Sequence, residues 1–173
     1  MKAPMNTDIY AQRRARLADQ HGPDAIANLP TAPEQVRNRD NDFLYRHDSY
    51  FHYLTGFTEP RAWLVLAGDG RSTLFCQPKD LEREIWDGYR LGPEAAPGAL
   101  EIDHALPVTD LDKELPRLLE NRQTVWFPFA THPGLESRID AWLQPVRARV
   151  RYGALCPNQQ RDLCGLLDEM RLF

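Results

Sequence analysis

The sequence predicts a three-layer α/β/α sandwich built on a mixed sheet, and three observations carry that prediction. Strand-like apolar runs alternate along the chain with segments of helical period, the element order of α/β domains. Two of the runs flank Gly68-Asp69-Gly70 and read as a β-hairpin, so the sheet is not wholly parallel. At 173 residues the chain suits one domain, large enough to bury a core without disulfides or metal.

Asn6-Thr7-Asp8 offers capping oxygens for a helix through Ala11 to Gln20, closed by Gly22-Pro23. Apart from Ile9, Tyr10 and Leu17 its residues are polar. This predicts a surface helix, with Arg13-Arg14-Ala15-Arg16 as a solvated face. Asp24 to Asn28 reads as a short strand and Thr31 to Asn41 as a polar loop. The densest aromatic stretch, Tyr45 to Phe57, follows; in it Tyr50, Phe51 and Tyr53 read as core, and Gly56 breaks it. Ala62 to Ala67 is a buried strand, with Ser72 to Cys76 as its hairpin partner.

Asp80 caps a helix from Leu81 to about Tyr89, in which Leu81, Ile85 and Tyr89 form the expected inward face. Trp86 lies about 100° round from Ile85, at the rim of that face. Thr109-Asp110 starts the next helix, whose stripe is Leu111, Leu115, Leu118 and Leu119. Pro116 removes a donor within it and should kink the helix or shift its start. Thr124 to Phe127 is a third strand, and Leu135, Ile139, Trp142 and Leu143 mark another helix. Arg147 to Tyr152 alternates like a strand, and Gln159 to Leu167 reads as a last helix with Leu163, Leu166 and Leu167 inward.

Composition excludes several functions. The net charge is −4 and there is no basic stripe, which argues against a nucleic-acid partner. No apolar run approaches the ~18 residues that cross a bilayer, and Met1 to Tyr10 lacks the plan of a signal peptide. The three cysteines, Cys76, Cys156 and Cys164, are odd in number and contain no Cys-x-x-Cys pair. They argue against a disulfide framework or structural zinc and fit the reduced thiols of a cytoplasm. Of the site types, a metal set from His47, Asp48 and His52 is disfavoured: the two histidines stand on different faces of a helix or of a strand. No serine sits in a Gly-x-Ser-x-Gly elbow, no Gly-Lys-Ser/Thr phosphate loop occurs, and Cys76 and Cys164 read as core. A domain of this size without a catalytic set is often the partner of one that has it.

Three segments together resemble the N-terminal domain of the aminopeptidase P family, the bacterial Xaa-Pro aminopeptidases. They are Tyr45-Arg46-His47-Asp48-Ser49-Tyr50-Phe51-His52-Tyr53-Leu54-Thr55-Gly56-Phe57-Thr58-Glu59-Pro60, then Asp80 through Gly92 into Ala95-Ala96-Pro97, then Glu169-Met170-Arg171-Leu172-Phe173. The likeness runs from about Arg37 to Phe173 and includes the first helix. Related prolidases and creatinases share the domain plan, and an N-terminal domain of such a relative, or of a peptidase-inactive binding homologue, is the alternative reading.

The resemblance implies a ribonuclease H-like sandwich of the creatinase/prolidase N-terminal type across residues 1–173. It implies that the catalytic half follows Phe173, so that these residues are a piece of a longer polypeptide and inactive alone. In the family that half has a pita-bread fold, binds two manganese ions through two Asp, one His and two Glu, and cleaves the peptide bond before proline. The N-terminal domain assists assembly of a dimer or tetramer and restricts access to the active site. The implied partners are therefore the chain's own catalytic domain, further copies of itself and a peptide substrate. Three residues match family positions near the substrate cleft or a subunit contact: Asp40, Trp86 and Arg151, with Arg149 as a rival alignment for the last. Each also has a plainer reading: Asp40 as a loop carboxylate, Trp86 as core, and the arginine as a surface strand residue.

Overall fold

The run Trp63–Ala67 has apolar side chains at every position, which suits a strand covered on both faces, and it lies near the middle of the sheet. The computed structural model describes residues 7–31 and 49–172. Its elements in order are α1 (Asp8–His21), β1 (Ala25–Pro30), the helical residues 49–55 (α2), β2 (Trp63–Ala67), β3 (Ser72–Cys76), α3 (Leu81–Asp87) and α4 (Ala96–Leu100). They continue with β4 (His104–Pro107), a 3₁₀ turn (Val108–Asp110), α5 (Leu111–Leu119), β5 (Thr124–Phe127) and α6 (Leu135–Ala148). A second 3₁₀ turn (Val150–Tyr152), β6 (Gln159–Asp162) and α7 (Leu163–Arg171) close the order.

The six strands lie in the order β4-β3-β2-β1-β5-β6. β2 runs antiparallel to both β1 and β3, with Leu64 opposite Leu29 on one side and Leu74 on the other. The pairs β1–β5, β5–β6 and β3–β4 are parallel, so β2 alone runs against the rest and the sheet is mixed as expected. Period-2 alternation splits the strands between two cores. Leu64, Leu66, Leu74 and Cys76 meet α1, α2, α4 and α7 through Leu17, Phe51, Leu54, Leu100 and Leu167. Trp63, Val65, Phe75 and Val125 meet α5 and α6 through Leu115, Leu119, Ile139 and Trp142. Helices therefore cover both faces, the three-layer sandwich that the sequence predicts.

Four expectations change on contact with the structure. The Arg13–Arg16 cluster is not one solvated face. Arg14 is 3% exposed, and its guanidinium donates to the carbonyls of Leu54 at 2.8 Å, Leu100 at 3.2 Å and Glu101 at 2.9 Å. Arg13 lies 4.1 Å over the Tyr53 ring and donates to the Tyr53 carbonyl, and of the three arginines only Arg16 is exposed. α1 accordingly buries Arg14, Leu17, Ala18 and His21 rather than resting on the surface.

The segment from Arg147 to Tyr152 is the end of α6 and a 3₁₀ turn, not a strand. The last strand is β6, whose four residues are all exposed. An edge strand is held by backbone bonds to one neighbour and needs no apolar alternation, so its sequence carries no strand pattern. The last helix in turn starts at Leu163, where Asp162 accepts the Cys164 amide at 3.1 Å as N-cap, and it buries Leu163, Leu167 and Met170. Finally, Pro116 does not move the start of α5: the helix begins at Leu111 and runs through the proline.

Two predictions arise from these contacts. Arg14→Met should strip charge-assisted donors from three carbonyls and lower stability by roughly 3 kcal/mol. Urea unfolding should show a lower midpoint at unchanged slope, and a midpoint equal to that of the parent would refute the clamp. His21 is buried, and desolvation lowers its imidazole pKa below the ordinary 6.5. The unfolded chain then takes up a proton that the folded chain resists. Stability is complete above about pH 6.5 and falls as the pH drops through that value toward the lowered folded one. Thermal midpoints measured across this range should fall on acidification, and His21→Gln should flatten the dependence.

Candidate functional site

All strands except β2 point the same way, so one rim of the sheet gathers the carboxyl ends of β1, β3, β4, β5 and β6 together with the entry to β2. In open α/β sheets this rim is where ligands bind, because the loops leaving parallel strands are free of the core. α3 leaves from it, directly after β3. Among the residues the sequence singles out, Trp86 stands on α3 and is 85% exposed. Arg151 lies in the 3₁₀ turn that precedes β6, at the opposite rim, where its guanidinium sits 5.1 Å over the Tyr152 ring and donates to its hydroxyl. Arg149 lies beside it, 3.4 Å from Glu120. One copy of the chain therefore does not bring Trp86 and Arg151 together. Asp40, like His47 and Asp48, lies outside the described residues.

α3 is built the reverse of an ordinary surface helix. Leu81, Ile85, Trp86 and Tyr89, three of which were expected to face inward, are all exposed, and the helix buries no residue. Polar groups hold it instead. Asp80 accepts the amides of Glu82 and Arg83 at 3.1 Å each, capping the first turn. Glu84 Oε1 accepts from Lys79 Nζ and from the Arg90 amide, both at 2.8 Å, which pulls the two ends of the segment together. These donors, the Arg90 amide first and Lys79 next, hold the Glu84 carboxyl below the usual range. Lys79 also donates to the Arg90 carbonyl, and Glu59 Oε2 accepts the Leu91 amide at 2.8 Å. The segment then turns at Gly92, where φ is 82° and a Cβ would stand 3.1 Å from Lys79 Cβ. The apolar stripe is legible in the sequence; this polar staple is not, because it joins residues 59, 79, 84 and 90.

Two cavities open along the same rim. One, of about 280 Å³, is walled by Trp63, Val108, Leu111 and Leu135 near Arg138. Arg138 lies 5.5 Å over Trp63 and 5.0 Å over Trp142, and Asp112 holds it at 3.1 Å. The second, of about 400 Å³, lies at the foot of α3 among Glu59, Arg83, Tyr89 and Arg90. Arg61 lines both, with φ at 57°.

Among the described residues the thiols and histidines do not assemble a reactive set. Cys76 is fully buried, and burial followed by the nearby Glu59 pushes its thiol up to about 12. Cys164 is half-buried, and burial, then Asp162, pushes it also to about 12. Neither is a thiolate at neutral pH. His52 is exposed, its ring edge-on to Tyr10. Among the described residues no three His, Cys, Asp or Glu side chains come together in a set that fits a metal ion. Nor is any described helix long and apolar enough to cross a membrane.

Comparison with known proteins agrees with this architecture. Residues 10–126 match the family model of the aminopeptidase P N-terminal domain. Xaa-Pro aminopeptidase of Escherichia coli K12 is 34% identical over 168 residues, covering 95% of this chain and 38% of the relative. The structure of Pseudomonas aeruginosa aminopeptidase PepP superposes with a TM-score of 0.84 at 41% identity, over 96% of this chain and 38% of that one. Escherichia coli aminopeptidase P in complex with substrate superposes with a TM-score of 0.86 at 33% identity, over 99% of this chain and 40% of that one. The chain thus spans about two fifths of the length of these relatives. With its family model matched from the first helix into β5 and its sandwich superposed almost end to end, the chain belongs to the aminopeptidase P N-terminal domain family.

Proposed function

We propose that these residues are the non-catalytic N-terminal domain of a metal-dependent Xaa-Pro aminopeptidase, which removes the first residue from peptides with proline second. The observation that carries this reading is the superposition of nearly the whole chain on solved aminopeptidase P chains, of which it spans 40% or less. The described residues offer no metal-binding set. The two manganese ions of the proposed enzyme are assigned to its catalytic domain, as the family likeness implies. The compartment that best suits three free thiols is the cytoplasm.

Within that enzyme the domain assists assembly of the oligomer and narrows the approach to the active site. α3 supports this role. A segment that presents Leu81, Ile85, Trp86 and Tyr89 to solvent, yet is closed on itself by ion pairs and tied to the body by the Leu91 amide donating to Glu59, is a preformed contact for a second copy. Trp86 is the anchor of that contact, and its aromatic surface reaches the neighbouring subunit's cleft. Asp40 and Arg151 are proposed as contributors to substrate handling only by their match to family positions.

Three outcomes check this. The 173-residue chain incubated with manganese and an Xaa-Pro peptide should give no turnover above the metal alone, whereas the chain carrying its catalytic domain should be active. Turnover by the short chain at the rate of the longer one would sink the assignment. In the longer protein, Trp86→Ala should weaken self-association and cut kcat/KM roughly 10-fold. The thermal midpoint of the isolated domain should stay where it is, since Trp86 packs against no core residue.

A further inference from the structure

The polar cavity at the foot of α3 carries charges of both signs on one wall: the guanidinium groups of Arg61, Arg83 and Arg90, and the carboxylates of Glu59 and Asp87, with Tyr89 beside them. Its volume, about 400 Å³, is enough for a small molecule with polar ends. Two of these side chains each hold a buried atom that has no hydrogen-bond partner: Oε1 of Glu59, an acceptor, and Nε of Arg90, a donor. Their remaining atoms are committed. Glu59 Oε2 accepts the Leu91 amide at 2.8 Å, Arg90 Nη1 donates to the Pro78 carbonyl at 3.2 Å, and Arg90 Nη2 stands 3.6 Å from Asp87. Held in this way, Glu59 and Arg90 leave one acceptor and one donor unused, and these do not bond each other.

Burial raises the Glu59 carboxyl despite the Leu91 amide and the nearby Arg90 and Lys79. A further positive group beside this carboxylate would offset that cost by favouring its charged form. Arg61, on the same wall, keeps a left-handed backbone with φ at 57°, a conformation that costs a side-chain-bearing residue and persists where the surroundings impose it. A simple anion in this cavity would meet two carboxylates, and a simple cation three guanidinium groups. A small molecule bearing both charges can set its cationic end against the carboxylates and its anionic end against the guanidinium groups of this lining.

We propose that this cavity binds a zwitterionic α-amino acid, its ammonium group on Glu59 and its carboxylate on Arg90 and Arg83. The site is independent of the peptidase reading, because it is built wholly from residues of this domain.

Titration of the 173-residue chain with L-alanine, followed by backbone amide shifts, tests it. Saturable shifts should appear at Tyr89, Arg90 and Leu91. Propionate and ethylamine, each carrying one of the two charges, should bind roughly 10-fold more weakly, since each loses charge-assisted hydrogen bonds. Glu59→Gln keeps an oxygen for the Leu91 amide, and Arg83→Gln changes an exposed side chain. Each should weaken alanine binding by a similar factor. If Glu59→Gln loses its fold by circular dichroism, the Arg83 variant decides. The proposal is overturned if alanine gives no saturable shift, if propionate binds as tightly as alanine, or if the shifts survive Arg83→Gln unchanged.

Discussion

A guanidinium removed from water must find acceptors, and Arg14 finds them where helices have carbonyls to spare. The last turn of every helix leaves carbonyl groups without amide partners, and the negative end of the helix dipole collects there. Leu54 lies at the end of α2, and Leu100 and Glu101 close α4, the latter at a φ of 54°. Arg14 donates to all three from α1 and so ties three helices of one layer into a single unit. Desolvation works against its charge, and Asp103 and Glu101 act to restore it. Asp103 itself accepts the Ser72 amide at the start of β3, so the clamp continues into the sheet. The aromatic residues Tyr50 and Phe51 then pack on a layer whose spacing is already set.

The opposite layer is organised by apolar contact. Trp63 and Trp142 meet edge to face at 5.1 Å between α6 and the sheet. Trp142 also donates to Asp112 at 2.8 Å, which joins α6 to α5 at its first turn. Arg138 covers both indoles and pairs with the same carboxylate. This layer thus keeps its polar bonds at the margin of an apolar core, whereas the first layer has a charge inside it.

α3 follows a third plan. Its ion pairs and cap close the segment on itself and the Leu91 amide ties it to Glu59, without burial of any helix side chain, so its apolar stripe is not spent on the fold of the domain. Exposed ion pairs contribute little singly, but Lys79, Glu84, Arg90 and Glu59 form a linked set that takes in the backbone of Arg90 and Leu91. The arrangement holds four large apolar side chains in a defined place in water, which suits a contact surface.

The amino-acid sequence determined those elements whose chemistry is local or periodic. The apolar runs of β2, β3 and β5 and the stripes of α5 and α6 are visible in spacing, since each reports burial of its own residues, and the hairpin at Gly68-Asp69-Gly70 and the Asp80 cap follow from local turn and capping chemistry. Tertiary structure alone decided the rest. Arg14 reads as one of three solvated arginines until two helix ends, 40 and 86 residues away, supply its acceptors. β6 shows no apolar alternation because its neighbour supplies backbone bonds and solvent takes its side chains. The stripe of α3 predicts an amphipathic helix but not which face meets the protein, because periodicity records that a face is apolar and not what will cover it.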